Sequence, residues 1–211
     1  MLKPTLEEIK QLAQDGRYQT APVCLEILAD IRTPIEVLRI LKSVSTHCFL
    51  LESVADHEKW GRYTFLGYDP KLEITCQDGN MRLGSVAFET SDPGKYIKQI
   101  VEEHRSARIP GLPPFTGGLV GYFSYDYLKY SEPTLRLDAE DTEGFHDVDL
   151  MLFDKVIAFD NFRQKIVFCV NVSLKNAETE YHRAELELKQ MAALLREATP
   201  APDERGHLTS E

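Results

Sequence analysis

Two hairpins, one after the other, restrict this chain more than any other feature. Asp78-Gly79 stands between the strand-like runs Leu72 to Cys76 and Met81 to Leu83. A two-residue turn of this kind needs positive φ at both positions, which Asp and Gly tolerate, and it joins antiparallel neighbours. A longer pair, Leu150 to Phe159 and Lys165 to Val172, turns near Asp160-Asn161. Strands connected so locally build antiparallel sheet, not a doubly wound parallel one. The apolar run Cys48-Phe49-Leu50-Leu51 adds a short buried strand.

Helical periods fall between these strands. Thr5 with Glu8 three residues on forms a capping box, and Leu6, Ile9, Leu12 and Ala13 share the face that follows, up to Gly16. Thr33-Pro34 with Glu36 starts a second helix, with Ile35, Leu38 and Leu41 as its apolar stripe. Asp92-Pro93 starts a third, ahead of Tyr96, Ile97, Ile100 and Val101. Asn176 is expected to cap the last, whose stripe is Tyr181, Ala184, Leu188, Met191 and Leu195. That stripe covers the chain's own sheet or faces another chain; the first is favoured. The expected fold is α+β, mainly antiparallel sheets with packed helices. Residues 1–197 form one domain, and residues 198–211, rich in Pro, Ala and charge, form a linker or tail.

Composition narrows the function. At 211 residues, 43% hydrophobic and 27% charged, the chain can bury a real core. Its formal net charge of −10 repels phosphate backbones, and the short basic stretch Arg105 to Arg108 has acidic residues upstream, so no nucleic-acid partner is expected. No apolar stretch reaches membrane-spanning length and no export signal opens the chain, so a cytoplasmic protein is expected. Cys24, Cys48, Cys76 and Cys169 lack short metal spacing and read as buried, reduced thiols.

Motifs for chemistry are missing. There is no P-loop, H-E-x-x-H or G-x-S-x-G, and the six histidines are scattered. His104, near a helix end, is read as support for that helix's C-terminus. Asp147, Asp149, Asp154 and Asp160 read as solvated strand ends rather than a carboxylate cluster. Gly117-Gly118-Leu119-Val120-Gly121 lacks phosphate-loop spacing, and its glycines suit a strand that approaches another backbone closely. Tyr122, just beyond, could pack or line a pocket. More suggestive is Leu50-Leu51-Glu52-Ser53, an apolar strand ending in a carboxylate and a hydroxyl. Glu52 could meet an ammonium, Ser53 could bond either end of a zwitterion, and Leu51 could cover an apolar side chain.

Several runs occur in order: Phe49-Leu50-Leu51-Glu52-Ser53, then Trp60-Gly61-Arg62-Tyr63-Thr64-Phe65-Leu66-Gly67. Gly117-Gly118-x-x-Gly121-Tyr122 and Asp149-Leu150-x-Leu152-Phe153-Asp154 follow. In series they resemble the N-terminal region of the anthranilate synthase component I family, whose members convert chorismate to anthranilate for tryptophan synthesis. The resemblance runs from about Gly16 to Val172. It implies a front half that holds most of the L-tryptophan feedback site, with Ser53 central and Glu52 and Leu51 beside it. Tyr63, Thr64, Gly117, Gly118 and Tyr122 are expected as pocket support. The family pattern often has a second serine where this chain has Thr64, which keeps the hydroxyl and adds a methyl. The same resemblance places the chorismate-binding catalytic half, with its magnesium, outside this chain. No catalytic residue and no cofactor or metal are therefore expected within it. Implied partners are L-tryptophan, that catalytic half and a glutamine amidotransferase component II. Two alternatives stay open: an interaction scaffold for such an enzyme or its amidotransferase, and the matching part of aminodeoxychorismate synthase.

Overall fold

The computed structural model describes residues 2–52, 61–132, 134–135 and 142–200. The order begins β1 (Leu2–Lys3), α1 (Leu6–Asp15), β2 (Thr20–Leu28), α2 (Pro34–Val44), β3 (Cys48–Glu52) and β4 (Tyr63–Tyr68). Next come β5 (Leu72–Gln77), β6 (Asn80–Leu83), β7 (Val86–Glu89), α3 (Pro93–Glu103) and β8 (Gly118–Phe123). A 3-10 turn over Tyr125–Tyr130 leads toward β9 (Val148–Phe153), β10 (Lys155–Asp160) and β11 (Lys165–Ser173). A second 3-10 turn, Leu174–Asn176, runs into α4 (Ala177–Glu197).

The strands form two sheets, ordered β1-β2-β11-β10-β4-β3 and β7-β6-β5-β9-β8, and every pairing between them is antiparallel. The α+β, antiparallel expectation holds. At the first hairpin, Asp78 and Gly79 take φ of 49° and 82°, as a tight two-residue turn demands. Both threonine capping boxes form, Thr5 with Glu8 and Thr33 with Glu36.

Two expectations are corrected. The run Leu150 to Phe159 is not one strand: it breaks at Asp154, with β9 in the five-stranded sheet and β10 in the six-stranded one. The hairpin with β11 therefore starts at Lys155, paired to Val170. Asn176 stands at the N-cap of α4, but its side chain makes no capping bond. The 3-10 turn feeds directly into the helix, so the entry lacks the extended residue that side-chain capping uses; Ser173, one turn earlier, caps the 3-10 turn through Lys175 N–H.

The main core lies between one face of the six-stranded sheet and the helices α1, α2 and α4. The α4 stripe is spent here: Tyr181, Ala184, Leu188, Met191 and Leu195 are buried in that core. A second core lies between the five-stranded sheet, α3 (through Ile97 and Ile100) and the tyrosines of the first 3-10 turn. Among the described residues, the opposite face of the six-stranded sheet carries a smaller cluster, Cys24, Ala158, Val167 and Cys169, packed against half-buried Tyr63, Phe65 and Leu112. Lys155 ties the crossover between sheets together, reaching Asp69 at 2.7 Å and Glu187 on α4 at 3.4 Å.

Candidate functional site

The expected effector residues fall at one end of the six-stranded sheet. β3 is an edge strand and antiparallel to β4, with Glu52 opposite Thr64 and Leu51 opposite Phe65. Because side chains alternate along a strand, Glu52 shares a face with Thr64, while Leu51 lies on the other face with Phe49 and Phe65. Ser53 lies outside the described residues.

Thr64 is 1% exposed, yet its hydroxyl is satisfied on both sides. It donates to Glu52 Oε1 at 3.4 Å and accepts from Asn161 Nδ2 at 3.3 Å. Glu52 itself is exposed. The result is a solvent-facing carboxylate steadied by a buried hydroxyl. Beside it, the Arg62 guanidinium forks onto Asp160, Nε to Oδ1 at 2.9 Å and Nη2 to Oδ2 at 2.6 Å, and stacks 4.8 Å over the Tyr63 ring. Tyr63 in turn stacks on Phe65 at 5.6 Å. Burial, with the Asp160 charge nearby, pushes the Tyr63 phenol up.

Asp160 was expected to be a solvated strand end, as was Asp147. Both are buried, at 4% and 3% exposure. Burial alone pushes the Asp160 carboxyl up, but the Arg62 fork and the Arg163 backbone N–H outweigh it and hold the group below the usual carboxylate range. Asp147 has the same balance. Burial raises it, and Lys129, the Tyr130 hydroxyl and the Asp78 N–H together hold it low. This pins the β5–β6 turn to the start of β9. Asp149 and Asp154 stay half-buried.

Gly118 and Gly121 sit on β8, in the other sheet, and Gly117 just precedes it. A Cβ on Gly117 would meet Asn171 Nδ2 at 2.4 Å and the Phe153 carbonyl at 2.8 Å; one on Gly121 would meet the Asp149 carbonyl at 2.0 Å. Close backbone approach is what these glycines permit. A Cβ on Gly118 would lie 3.6 Å from the Phe115 ring, and Phe115 stands edge-on to Phe65 at 5.6 Å and to Phe49 at 6.3 Å. The glycine pair thus borders the aromatic face of β3 and β4. Tyr122 does not: it lies about 13 Å further along the strand, opposite Asp149 and edge-on to Phe145.

A polar cleft of about 1000 Å³ opens between the sheets, lined in part by Gly117, Gly118, Arg105, Asn171 and Arg183. None of Leu51, Glu52, Tyr63 or Thr64 borders it. Of its cations, Arg105 and Arg183 are engaged by Glu102 and Glu180. Among the described residues no three His, Cys, Asp or Glu side chains converge on a point that could hold a metal. Also among them, no helix is long and apolar enough to cross a membrane.

Sequence reasoning passed over Arg62, Asp160 and Asn161 as site residues. Arg62 stood inside the quoted run Gly61-Arg62-Tyr63, but its partner lies 98 residues away, and no local pattern announces such a pair.

The family model for chorismate binding enzymes matches residues 46–211. Among curated proteins, anthranilate synthase component 1 of Acetivibrio thermocellus is 38% identical over 186 residues, covering 86% of this chain and 37% of that one. Its counterpart in Acinetobacter calcoaceticus is 36% identical over 205 residues, covering 93% and 40%. The crystal structure of anthranilate synthase component I from Streptococcus pneumoniae superposes with a TM-score of 0.55 at 27% identity, over 82% of this chain and 37% of that one. The chain spans about two fifths of the length of the curated relatives it matches.

Proposed function

We propose a function for this chain from one premise: it belongs to the chorismate binding enzyme family. The chain acts as the effector-sensing part of an anthranilate synthase component 1, the protein type named for the curated relatives described above. In the complete protein, chorismate and an ammonia source would give anthranilate, with magnesium and the catalytic groups held by the remaining length. A glutamine amidotransferase would supply the ammonia. The family match, residues 46–211, includes the end of β3.

The observation that carries the sensing role is the end of β3. Glu52 presents an exposed carboxylate whose position is fixed by the Thr64 hydroxyl, and Leu51 is 47% exposed next to it. A carboxylate held in place loses little entropy on meeting an ammonium, so it recognises one better than a free side chain would. Leu51 and Glu52 lie on opposite faces, so an amino acid meeting both would wrap the strand end rather than lie on the sheet. Ser53 would bond its charged groups there. Binding would weaken the binding of chorismate through a coupling free energy of about 1–3 kcal/mol, and chorismate would weaken that of L-tryptophan equally.

The scaffold alternative loses its first support, because the α4 stripe is buried against this chain's own sheet. Anthranilate and aminodeoxychorismate branches separate by the product formed. The test is turnover of chorismate by the complete protein as L-tryptophan rises. Glu52→Gln and Ser53→Ala should each raise the half-inhibiting concentration by about tenfold, the effect of losing one charge-assisted bond. Wild-type turnover indifferent to L-tryptophan, or both variants inhibited like wild type, would refute the sensing role.

A further inference from the structure

Two cysteines far apart in sequence meet on the face of the six-stranded sheet turned away from the helices. Cys24 on β2 is directly opposite Cys169 on β11, and their Sγ atoms are 2.9 Å apart. Directly opposed residues of an antiparallel pair hold their Cα atoms about 4.5 or 5.5 Å apart, according to the type of pair. Both spacings fall inside the disulfide window of about 4.4–6.8 Å. No strand has to shift for a sulfur–sulfur bond to form. The helices cover the other face; on this one, among the described residues, half-buried Tyr63, Phe65 and Leu112 pack against the cluster that holds the pair, and Cys24 and Cys169 are buried.

We propose that Cys24 and Cys169 form an oxidation site whose co-reactant is hydrogen peroxide and whose product is a cross-strand disulfide. One thiolate attacks a peroxide oxygen; the O–O bond breaks, the sulfur becomes a sulfenic acid, and the other oxygen leaves as water. The second thiolate then attacks the sulfenic sulfur. The S–O bond breaks, hydroxide takes up a proton and leaves as a second water, and the S–S bond closes. In sum, two thiols and one peroxide give one disulfide and two waters, with two electrons passing from sulfur to oxygen. The adjoining Cys169 thiol and burial push the Cys24 thiol well above the ordinary range, so thiolate is scarce at neutral pH. Reaction therefore waits on local opening of the aromatic cover. The crosslink would join residues 145 apart in sequence and so restrict the unfolded chain strongly.

The experiment treats the reduced 211-residue chain with hydrogen peroxide, then reads intact mass and a non-reducing peptide map. The expected result is loss of two hydrogens, mapped to a Cys24–Cys169 linked peptide. A melting temperature higher by on the order of 10 °C, reversed by dithiothreitol, should accompany it. The double variant Cys48→Ser, Cys76→Ser should keep both signals, and Cys24→Ser should lose both. The wild-type map needs no variant to fold. Unchanged mass, oxygen gain without a crosslink, or a crosslink through Cys48 or Cys76 would each overturn the proposal.

Discussion

Gly121 and Asp160 show how much single residues decide in this molecule. Gly121 sits at φ 151° in β8, and a Cβ there would lie 2.0 Å from the backbone carbonyl of Asp149, which cannot swing aside. Gly121→Ala should cost on the order of 3 kcal/mol, read from the urea midpoint. Gly111→Ala and Gly144→Ala, where a Cβ meets nothing within 4 Å, should cost about 1 kcal/mol each, from positive φ alone. Asp160 works through charge. Its folded-state pKa is depressed, so its contribution is present above the ordinary carboxylate range and is lost as pH falls through the depressed value. Asp160→Asn should therefore destabilise by about 2–3 kcal/mol at neutral pH, since it leaves Arg62 part-buried without its charge partner. The gap from wild type should narrow steadily as denaturation is repeated at more acidic pH. A gap independent of pH would contradict the pairing.

Among the elements, the α4 stripe and the strand breaks show what the sequence revealed and what it hid. Helical period and capping boxes are local, so the α1 and α2 helices and the inward stripe of α4 were legible from residue spacing. The expected α2 stripe was not right, since Ile35 is 52% exposed while Val37 and Ile40 are buried. Leu188, with no exposed surface, against Leu186 at 60% exposure, tests the α4 stripe. Leu188→Ala should cost about 3 kcal/mol in chemical denaturation; Leu186→Ala should change little. Equal effects would mean that α4 does not lie as described. The Asp78-Gly79 hairpin was equally legible, because turn chemistry is written in two residues. β2 was not: Thr20–Leu28 contains Pro22 and is buried along Ala21 to Cys24, so it shows no clean alternation. Nor was the break at Asp154, since only the paths of two different sheets make β9 and β10 separate strands. At the candidate site, Glu52 and Leu51 were found because they are neighbours in sequence. Their opposite facing and the Arg62–Asp160 fork depend on pairings that only the folded chain supplies.

As a whole, the molecule is two antiparallel sheets, each with its own core, joined by crossovers at Asp69 to Lys71 and at Asp154. The helices cover one face of the larger sheet, while the other bears Phe65 and the small cysteine cluster, and the end of β3 is exposed. In a family whose similar curated members are more than twice as long, that end is where the proposed effector would sit. The account stands on L-tryptophan binding there. Calorimetric titration of L-tryptophan into the complete protein tests it most directly. The account predicts one saturable site per chain, weakened by chorismate and by Glu52→Gln. No heat at millimolar L-tryptophan, in the complete protein and in the 211-residue chain alike, would contradict it.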